Sequence, residues 1–431
     1  MCGEYIMVNL NNDVKKIMNL IEDNGYQVYL VGGFVRDSII GKENDDFDLC
    51  TNMPFDSIKK IIPNFRMMRE NSHRNTGIVR INDVDIEISM FKGKDLNEDL
   101  FCRDLTINSI AMNSSGEIFD PFNGVDDIKK GIVRITNSTG EAFDKDPLRI
   151  LRAIRFAGVL GYEIDEVTWN HMLNKKHLLN GVAVERIYSE LCKIILCNKP
   201  GDLINKYRDV LLEVMPELKD MVGFQQNNPY HMYDVFEHSM VVLNNTSRNL
   251  ILRFSALFHD CGKPDCMTVD QNGISHFYGH CKFSSDKFKS FAKRMKFDNE
   301  SIYEIQKLIS FHDYVLDTTN KSINRFIRDF GTKNIDLLFE LKFADICGQN
   351  VDKMERINEI QKLRDVYNDY LNSMPVLSLK DLKINGNVLK EMNFNGKTIG
   401  VILNDVLEMV SSGELVNDTD DIKEFVSKKY H

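Results

Sequence analysis

The chain has 431 residues, of which 43% are hydrophobic and 27% are charged, and its formal net charge is −10 at pH 7. This composition is that of a folded globular protein, and the length predicts about two to four domains. No apolar run approaches the roughly 18 residues that cross a bilayer, and the first residues lack the basic and apolar parts of a signal peptide. The nine cysteines contain no C-x-x-C pair, which indicates free thiols and a cytoplasmic protein. The acidic balance argues against bulk binding of nucleic acid but is compatible with a local basic groove.

Residues from about 26 to 135 are predicted to form a small mixed α/β head. The segments YQVYLVGG, GIVRINDVDIEISMF and INSIAMNSSGEIFDPF have the short β-branched or alternating pattern of strands, and Gly and Asn turns interrupt them. Between the first two segments, PFDSIKKII predicts a helix that begins at Pro54.

After Thr136 the spacing of the apolar residues becomes helical. In DPLRILRAIRFAGVLGY the apolar residues expected on one helix face are Leu148, Leu151, Ile154 and Val159. From there to the C-terminus nearly the whole chain has helical spacing, with glycines between the segments. The predicted fold class is therefore α+β, a small mixed-sheet head followed by an all-α body.

A pair of glycines, Gly32 and Gly33, follows the first strand and precedes a predicted helix that contains Arg36. In such a turn, backbone N–H groups can approach an anion closely, and the helix N-terminus adds partial positive charge. An ordinary tight turn has the same sequence features. This pattern alone therefore leaves a phosphate site and a plain turn equally open.

Two carboxylates follow at alternate positions, Asp46 and Asp48. Alternate strand residues point to one face, so these side chains are expected to emerge side by side, with Asp45 facing elsewhere. Two close like charges are unfavourable unless a cation lies between them, and oxygen ligands suit Mg²⁺. The alternative is a solvated acidic turn.

A later strand carries a stripe of acidic residues. In DVDIEIS the residues Asp83, Asp85 and Glu87 alternate with apolar ones, so one face is acidic and the other apolar. This stripe could supply a third carboxylate beside the aspartate pair. For Asp83 an ordinary solvent-exposed position is the preferred interpretation.

Four segments occur in an order and spacing that identify a family. LVGGFVRDSIIGKENDDFDL, CRDLTINSIAM, DPF followed by Gly124, and KDPLRILRAIRFA resemble the successive motifs of the bacterial tRNA nucleotidyltransferase and poly(A) polymerase family. Within that family the pattern is similar to the class II CCA-adding enzymes. The resemblance covers about the first 200 residues. It implies a polymerase-β-like nucleotidyltransferase head over residues 1–135 and a helical nucleotide- and RNA-binding neck over residues 136–215.

The resemblance implies roles for residues of the head. Asp46 and Asp48 correspond to the catalytic pair that binds two Mg²⁺ ions. Gly33 and Arg36 correspond to the turn that holds the incoming triphosphate, and Arg103 to the motif that contacts the phosphate and sugar of the nucleotide. The expected partners are CTP, ATP and the 3′ end of tRNA or another RNA.

In the neck, Asp146 and Arg149 correspond to the residues that read the base edge, with Arg152 and Arg155 on the same helix. An Asp acceptor and a forked Arg donor can hydrogen-bond the Watson–Crick edge of C or A without a template. For Arg152 and Arg155 the alternative is a solvated basic helix face.

Two features depart from the family pattern. Cys102 precedes Arg103 where the family usually has a second arginine. The connection SMFKGKDLNEDLFCRD is also shorter than the basic flexible loop of full CCA-adding relatives, and it resembles the enzymes that add only CC. Nucleotide transfer is expected in either case, and the two family patterns differ in whether the terminal A is added.

A second group of metal-binding residue types lies in the helical body, in VFEHSM, LFHDCGKP and KFADICG. Imidazole and carboxylate together suit a divalent transition metal, although an isolated histidine is usually a satisfied core residue. The series resembles the HD-superfamily phosphohydrolases and implies such a domain over residues 216–350. The implied metal ligands are His238, His259, Asp260 and Asp345. His280 and His312 are candidates for a second metal or for phosphate contacts, and residues 351–431 are predicted to form a helical C-terminal region without a motif.

The leading hypothesis is a template-independent nucleotidyltransferase that adds C, A or both to tRNA 3′ ends, fused to an HD phosphohydrolase. One alternative is a poly(A) polymerase acting on general RNA. Another is a phosphohydrolase or nucleotidase whose head serves as an RNA-binding module, against which the intact Asp46 and Asp48 argue. An inert scaffold would lack ligands at both sites, and the sequence has them.

Overall fold

The computed structural model describes residues 10–68, 76–227, 232–349, 353–373 and 378–430. The chain divides into two compact units. The first contains the residues up to 198 together with 207–214, and the second contains residues 199–206 together with those from 215 onward. No helix in the described ranges is long and apolar enough to cross a membrane.

The strands are, in chain order, β1 (Val28–Val31), β2 (Phe47–Thr51), β3 (Arg66–Met67), β4 (Thr76–Ile81), β5 (Val84–Met90), β6 (Ala111–Met112), β7 (Ile118–Phe119), β8 (Ile132–Val133), β9 (Glu163–Ile164), β10 (Thr268–Val269) and β11 (Ser275–His276). The helices of the first half are α1 (Asn12–Asp23), α2 (Gly33–Ile40), α3 (Phe55–Ile61), α4 (Leu96–Phe101), α5 (Gly124–Lys130), α6 (Glu141–Lys145), α7 (Arg149–Leu160), α8 (Glu166–Lys175), α9 (Val184–Ile195), α10 (Pro200–Lys206) and α11 (Arg208–Val214). The helices of the second half are α12 (Val235–Asn244), α13 (Leu250–Phe258), α14 (Lys263–Cys266), α15 (His280–Arg294), α16 (Asn299–Phe311), α17 (Asn320–Phe330), α18 (Ile335–Cys347), α19 (Lys353–Asn372), α20 (Gly386–Glu391), α21 (Lys397–Ser411) and α22 (Thr419–Tyr430). Short 3₁₀ turns cover Thr106–Asn108, Lys176–Gly181 and Pro216–Met221.

The head is built on one mixed sheet of seven strands, in the order β3-β4-β5-β2-β1-β6-β7. β2 pairs parallel with β5 and antiparallel with β1. The register places Asp48 opposite Val31 of β1 and opposite Glu87 of β5. Val31 is the last residue before the Gly32–Gly33 turn into α2. The pairing of β1 with β2 therefore places Asp48 beside the start of the Gly32–Gly33 turn.

The predicted head elements are largely confirmed, with one correction. Pro54 is the N-cap of α3, as predicted. In the segment from 107 to 122 the strand pattern holds only for the short β6–β7 hairpin, because its first residues belong to the 3₁₀ turn Thr106–Asn108. The hairpin turn is fixed locally, since Asn113 Oδ1 accepts hydrogen bonds from the backbone N–H groups of Ser115 and Glu117. Asp120 directly follows β7, and its carboxylate accepts hydrogen bonds from the N–H groups of Gly124 and Val125 at the start of α5.

Helix α7 has the predicted apolar face with one exception. Leu148, Leu151 and Ile154 are buried, but the side chain of Val159 is exposed. Val159 lies five residues after Ile154, about 140° around the helix, so it cannot share that face. The helix ends at Gly161, whose φ of 72° lies in the left-handed region that glycine adopts without strain.

Within the described residues of the second unit, the regular elements are helices and the β10–β11 pair. Helices α12, α13, α15, α16 and α18 pack against one another around a core rich in phenylalanine. Helix α19 belongs to this core, because Tyr367 is fully buried against Phe326 and Phe339. Helices α20, α21 and α22 enclose a separate small core that includes Leu389, Ile402 and Ile422.

Candidate active site and metal centre

A cavity of about 710 Å³ lies in the first unit, above the junction of β1, β2 and β5. Its lining includes every residue that the sequence assigned to nucleotidyl transfer: Gly33, Arg36, Asp46, Asp48, Arg103, Asp146, Arg149, Arg152 and Arg155. The structure therefore brings together residues spread over more than a hundred positions. Their individual roles stay predictions.

The acidic wall of this cavity is formed by the start of β2 and the middle of β5. Asp46 precedes β2, where its N–H donates to Asn44 Oδ1, and Asp48 lies within the strand beside Glu87. All three carboxylates line the cavity, and they form the kind of all-oxygen set that suits Mg²⁺. Asp83 does not belong to the stripe, because its φ of 69° places it in the turn between β4 and β5.

The glycine turn opens the opposite wall to an anion. Gly32 has a φ of 74°, a backbone conformation in which residues other than glycine are disfavoured, and Gly33 begins α2. A Cβ atom at Gly32 would lie 3.6 Å from Arg103 Nη1 and 3.6 Å from Asp48 Oδ2. The missing side chain therefore keeps the space between a guanidinium and a carboxylate free, next to a helix N-terminus.

Two arginines on this wall are held in place by buried partners. Arg36 Nη1 donates to Asn108 Oδ1 at 2.6 Å, and Arg36 Nε donates to Asp37 Oδ1 at 2.8 Å. Arg103 donates through Nε and Nη2 to Asp99 Oδ2, at 3.1 and 2.9 Å. Burial acts to lower the pKa of Arg103, but the Asp99 carboxylate outweighs it and the pKa is raised. The Arg103 guanidinium therefore stays charged, and both arginines are held in the lining of the cavity.

Helix α7 docks onto the head through its arginines. Arg149 donates to the carbonyl oxygens of Cys102 and Arg103, at 2.6 and 3.2 Å. Arg152 forms an ion pair with Asp104, with Nε 2.7 Å from Oδ2. Burial acts most strongly and would raise the pKa of Asp104, but the charges of Arg152 and Arg149 and the hydrogen bonds from Asn108 and Arg152 together outweigh it, so the pKa is lowered.

The remaining neck residues are also engaged. Asp146 accepts two hydrogen bonds from Arg186 Nη2, at 3.0 and 3.1 Å. Arg155 lies 3.1 Å from Glu190 Oε2, and its guanidinium stacks on the Phe156 ring at 4.2 Å. The side chains of Arg152 and Arg155 are only 30% and 15% exposed, so the alternative of a solvated basic face is wrong.

The residues that position the cavity's arginines and Asp146 were not predicted from the sequence. Asp99 lies four residues before Arg103, an i,i+4 spacing that could have indicated a pair at the end of a helix. Phe156 looked like one more apolar residue of α7, yet three guanidiniums lie within 6 Å of its ring: those of Arg36, Arg152 and Arg155. Arg186 follows Asp146 by forty residues, and no local pattern links them.

The second unit contains a buried cluster of histidines and aspartates from α12, α13, α18 and the turn after α13. His238 Nε2 lies 2.9 Å from Asp345 Oδ1, and His259 Nε2 lies 3.2 Å from Asp260 Oδ2. The two Nε2 atoms are 3.3 Å apart. All four predicted metal ligands therefore converge, and His238, His259 and Asp260 have atoms close enough to share one ion.

The neighbouring histidines extend the cluster around Asp260. His280 Nε2 and His312 Nε2 lie 3.2 Å from each other, and they lie 3.3 and 3.6 Å from Asp260 Oδ1. Asp260 Oδ2 faces His238 and His259 instead. One buried carboxylate thus stands between two pairs of imidazoles, an arrangement that could hold two divalent cations.

The backbone fixes the orientation of all four imidazoles. The Nδ1 atoms of His238, His259, His280 and His312 lie 3.2, 2.8, 2.9 and 2.7 Å from the carbonyl oxygens of Gly348, Ala256, Phe277 and Ile309. A carbonyl oxygen only accepts, so each Nδ1 carries the proton and each Nε2 faces the cluster. Metal-binding histidines are held in this way.

Two residues of the cluster were not foreseen as participants. Lys263 Nζ lies 2.6 Å from Asp260 Oδ2 and donates to Gln226 Oε1 at 2.8 Å. Cys281 Sγ lies 3.6 Å from His280 Nε2. Both follow a predicted ligand closely in the sequence, and that proximity was the available signal.

Three protein-family models match the chain. Residues 28–134 match the "Poly A polymerase head domain", and residues 161–221 match the "Probable RNA and SrmB- binding site of polymerase A". Residues 268–426 match the "tRNA nucleotidyltransferase domain 2 putative". The first match contains the acidic wall and Arg103. The third begins within the segment predicted as an HD domain and continues through the C-terminal helices.

The chain is also similar to characterised proteins and solved structures. It is 26% identical to the CCA-adding enzyme of Ligilactobacillus salivarius, over 98% of each chain. It is 36% identical to the CC-adding tRNA nucleotidyltransferase of Halalkalibacterium halodurans over 180 residues, which cover 42% of this chain and 47% of that protein.

The structural matches extend over nearly the whole chain. The Bacillus stearothermophilus CCA-adding enzyme in complex with CTP matches with a TM-score of 0.71 and 20% identity, over 96% of both chains. The Thermotoga maritima CCA-adding enzyme complexed with tRNA matches with a TM-score of 0.64 and 19% identity, over 98% of this chain and 97% of that one. At identities of 20% and 19%, these two matches show similarity of fold only. Together, the matched domains and the full-length relatives indicate that this chain is a nucleotidyltransferase, and they support its assignment to the class II tRNA nucleotidyltransferases.

Proposed function

We propose that this chain extends the 3′ end of tRNA with C, A or both, from CTP and ATP, by two-metal phosphoryl transfer. The observation that supports this most directly is the single cavity in which an all-carboxylate wall faces a glycine turn and five arginines. A triphosphate with its metal ions needs both kinds of partner, and a template-independent enzyme also needs a protein surface for the base.

In this mechanism the protein mainly positions and stabilises charge. Asp46 and Asp48 would hold Mg²⁺, with Glu87 beside Asp48 as a further oxygen ligand. Bound Mg²⁺ supplies activation of the RNA 3′-hydroxyl and neutralisation of the leaving pyrophosphate. The Gly32–Gly33 turn and Arg36 would bind the phosphates, while Arg103 bridges the phosphates and the sugar.

Base selection is assigned to Asp146 and Arg149. Asp146 now pairs with Arg186, and Arg149 binds the carbonyl oxygens of Cys102 and Arg103. Reading a base edge requires these groups to exchange present partners for the nucleotide. Arg186 is then the residue that competes with the base for Asp146.

The connection before Arg103 favours an enzyme that stops after CC. Residues between β5 and Arg103 form the short helix α4, and Asp99 of that helix is tied to both Arg103 and the N–H of Lys92. A compact, fixed connection offers little of the freedom that a long basic loop would give for the switch from C to A.

A direct assay tests both statements. Purified protein is incubated with Mg²⁺ and tRNA ending before CCA, with α-labelled CTP or ATP supplied separately and together. We expect incorporation of C, and no terminal A on a CC-ended tRNA. Absence of any incorporation would reject the transferase. Addition of A would reject the argument from the connection and would leave the transferase in place, while long A tracts on general RNA would favour a poly(A) polymerase.

We also propose a metal-dependent phosphohydrolase activity for the second unit. The supporting observation is that four imidazoles present Nε2 atoms around Asp260, each with its Nδ1 held by a backbone carbonyl. Such a centre would activate water for attack on a phosphoester. His238, His259, Asp260 and Asp345 would hold one divalent transition metal, and His280 and His312 would face a second across Asp260.

The phosphohydrolase is tested with generic phosphoesters, including a nucleoside monophosphate and a cyclic 2′,3′-phosphate. Asp260→Ala should abolish metal-dependent hydrolysis and leave nucleotide addition intact. The matched control is Asp286→Ala, an exposed aspartate of α15, which should leave both activities unchanged. Equal hydrolysis by the wild type and Asp260→Ala would remove this second function.

A further inference from the structure

The proposed metal centre has a thiol at its edge that no part of the hydrolase proposal uses. Cys281 is the second residue of α15, and its Sγ atom lies 3.6 Å from His280 Nε2 and 3.8 Å from His312 Nδ1. His280, Cys281 and His312 form a group whose potential ligand atoms all lie within 4.8 Å of one another. We propose that Cys281 supplies a thiolate ligand to a divalent transition metal held together with His280, His312 and Asp260, which rests on the metal centre proposed above.

The distances between these atoms match the edges of a tetrahedral site. With metal–nitrogen bonds of about 2.0 Å and metal–sulfur bonds of about 2.3 Å, tetrahedral zinc separates two nitrogens by about 3.3 Å and a nitrogen from a sulfur by about 3.5 Å. Here the two Nε2 atoms are 3.2 Å apart, and His280 Nε2 lies 3.6 Å from Cys281 Sγ. Asp260 Oδ1 lies 3.3 and 3.6 Å from the two Nε2 atoms. These four of the six edges of the proposed tetrahedron have about the right length.

The surroundings of Cys281 differ from those of Cys261 and Cys266 in the same unit. Cys266 Sγ faces the carbonyl oxygens of Gly262 and Lys263, and Cys261 Sγ faces that of Ser284. Both are thiols that donate a weak hydrogen bond to the backbone. Cys281 faces imidazole nitrogens instead. The Nδ1 protons of His280 and His312 go to carbonyls, so the Nε2 lone pairs of both rings converge with Asp260 Oδ1, and Cys281 Sγ lies beside them next to His280 Nε2. A cation would satisfy all four atoms.

A thiolate would make the two halves of the centre chemically unequal. The half with His238, His259 and Asp345 offers only nitrogen and oxygen ligands, which accept a wide range of divalent ions. The half with Cys281 adds a soft ligand and therefore selects Zn²⁺ or Co²⁺ over Mn²⁺ and Mg²⁺. The structure thus predicts that one of two bound ions is replaced by hard cations much less readily than the other.

Cobalt titration of the full chain tests the thiolate directly. Co²⁺ is added to metal-free protein while the near-ultraviolet sulfur-to-cobalt charge-transfer absorption is recorded. We expect this absorption in the wild type and its loss in Cys281→Ser. The matched control is Cys266→Ser, a partly buried thiol of the same unit, which should keep the absorption. In competition with Zn²⁺, Cys281→Ser should lower the affinity of one site by about tenfold or more and leave the other unchanged.

The same titration separates failure of this inference from failure of the phosphohydrolase proposal. Co²⁺ binding without charge-transfer absorption, or absorption that Cys266→Ser removes and Cys281→Ser retains, would overturn the role of Cys281 and leave the histidine centre standing. Absence of any Co²⁺ or Zn²⁺ binding, measured by equilibrium dialysis, would overturn both. Absorption that persists in a His280→Ala variant at full strength would also contradict the proposed ligand set.

Discussion

Asp48 is the residue on which the two walls of the nucleotide cavity meet. It lies opposite Glu87 in the sheet, and its Oδ2 atom is 3.6 Å from the position that a Cβ at Gly32 would occupy. Asp48→Asn keeps the shape but removes a charged metal ligand. We expect nucleotide addition to fall by more than about 100-fold, because even the residues that support metal ligands are worth 10- to 100-fold.

The control for Asp48→Asn is the adjacent exposed carboxylate. Asp45→Asn changes the charge by the same amount, yet Asp45 is absent from the lining of the cavity. Single-turnover incorporation of labelled CTP should be close to that of the wild type. Similar losses in both variants would show that net charge, and not the ligand position, governs the rate.

The Asp104–Arg152 pair makes a prediction about pH. The pKa of Asp104 is lowered in the folded protein, so its contribution is present above the unfolded pKa of about 3.9 and is lost as the pH falls through the folded pKa. Asp104→Asn should lower the unfolding free energy by about 1.5–3 kcal/mol at pH 7, the value of a hydrogen bond to a charged group. This difference should stay constant from pH 7 to 5 and shrink only below about pH 4.

Denaturant unfolding of wild type and variant across this range checks the sign. Asp126→Asn is the surface control, because Asp126 and Lys130 are both more than half exposed and such pairs contribute little. A difference that already shrinks near pH 6 would contradict a lowered pKa for Asp104.

At the scale of elements, helix α4 acts as a support for Arg103. Asp99 is buried and receives both the Arg103 guanidinium and the N–H of Lys92. Asp99→Asn should leave the fold intact and let Arg103 leave its position, so KM for CTP should rise about tenfold or more with a smaller change in kcat. Asn97→Ala, at an exposed position of the same helix, should change neither constant. A kcat loss with unchanged KM would contradict a positioning role in nucleotide binding.

The elements also show what the sequence could and could not predict. Strand alternation was sufficient to place Asp46 and Asp48 on one cavity, and helical spacing was sufficient for most of α7. The solvent-exposed position preferred for Asp83 is confirmed, because an Asn-Asp turn, with φ values of 44° and 69°, separates Asp83 from the alternating strand. The partners of two neck residues, Glu190 for Arg155 and Arg186 for Asp146, both lie on α9, and a local sequence pattern carries no information about how that helix packs.

At the scale of the whole molecule, the two proposed chemistries belong to different compact units. The carboxylates and arginines of the transferase lie in the first unit, and the histidine centre lies in the second. The net charge of −10 therefore conceals a local concentration of arginines around one cavity. The net charge of a protein bears on its non-specific binding of nucleic acid. The fold is needed to show where the cationic side chains are concentrated.

Binding of Zn²⁺ to the histidine centre should accordingly stabilise the second unit. A ligand that binds only the folded state at 100 times its Kd adds about 2.7 kcal/mol to stability. In scanning calorimetry of the metal-free full chain, Zn²⁺ should raise the melting transition of the second unit and leave that of the first in place. His259→Ala removes a buried ligand, so its second-unit transition should no longer respond to Zn²⁺, whereas Asp48→Asn should respond as the wild type does. A Zn²⁺ shift that His259→Ala retains, or one that moves both transitions equally, would contradict a metal centre built on these histidines.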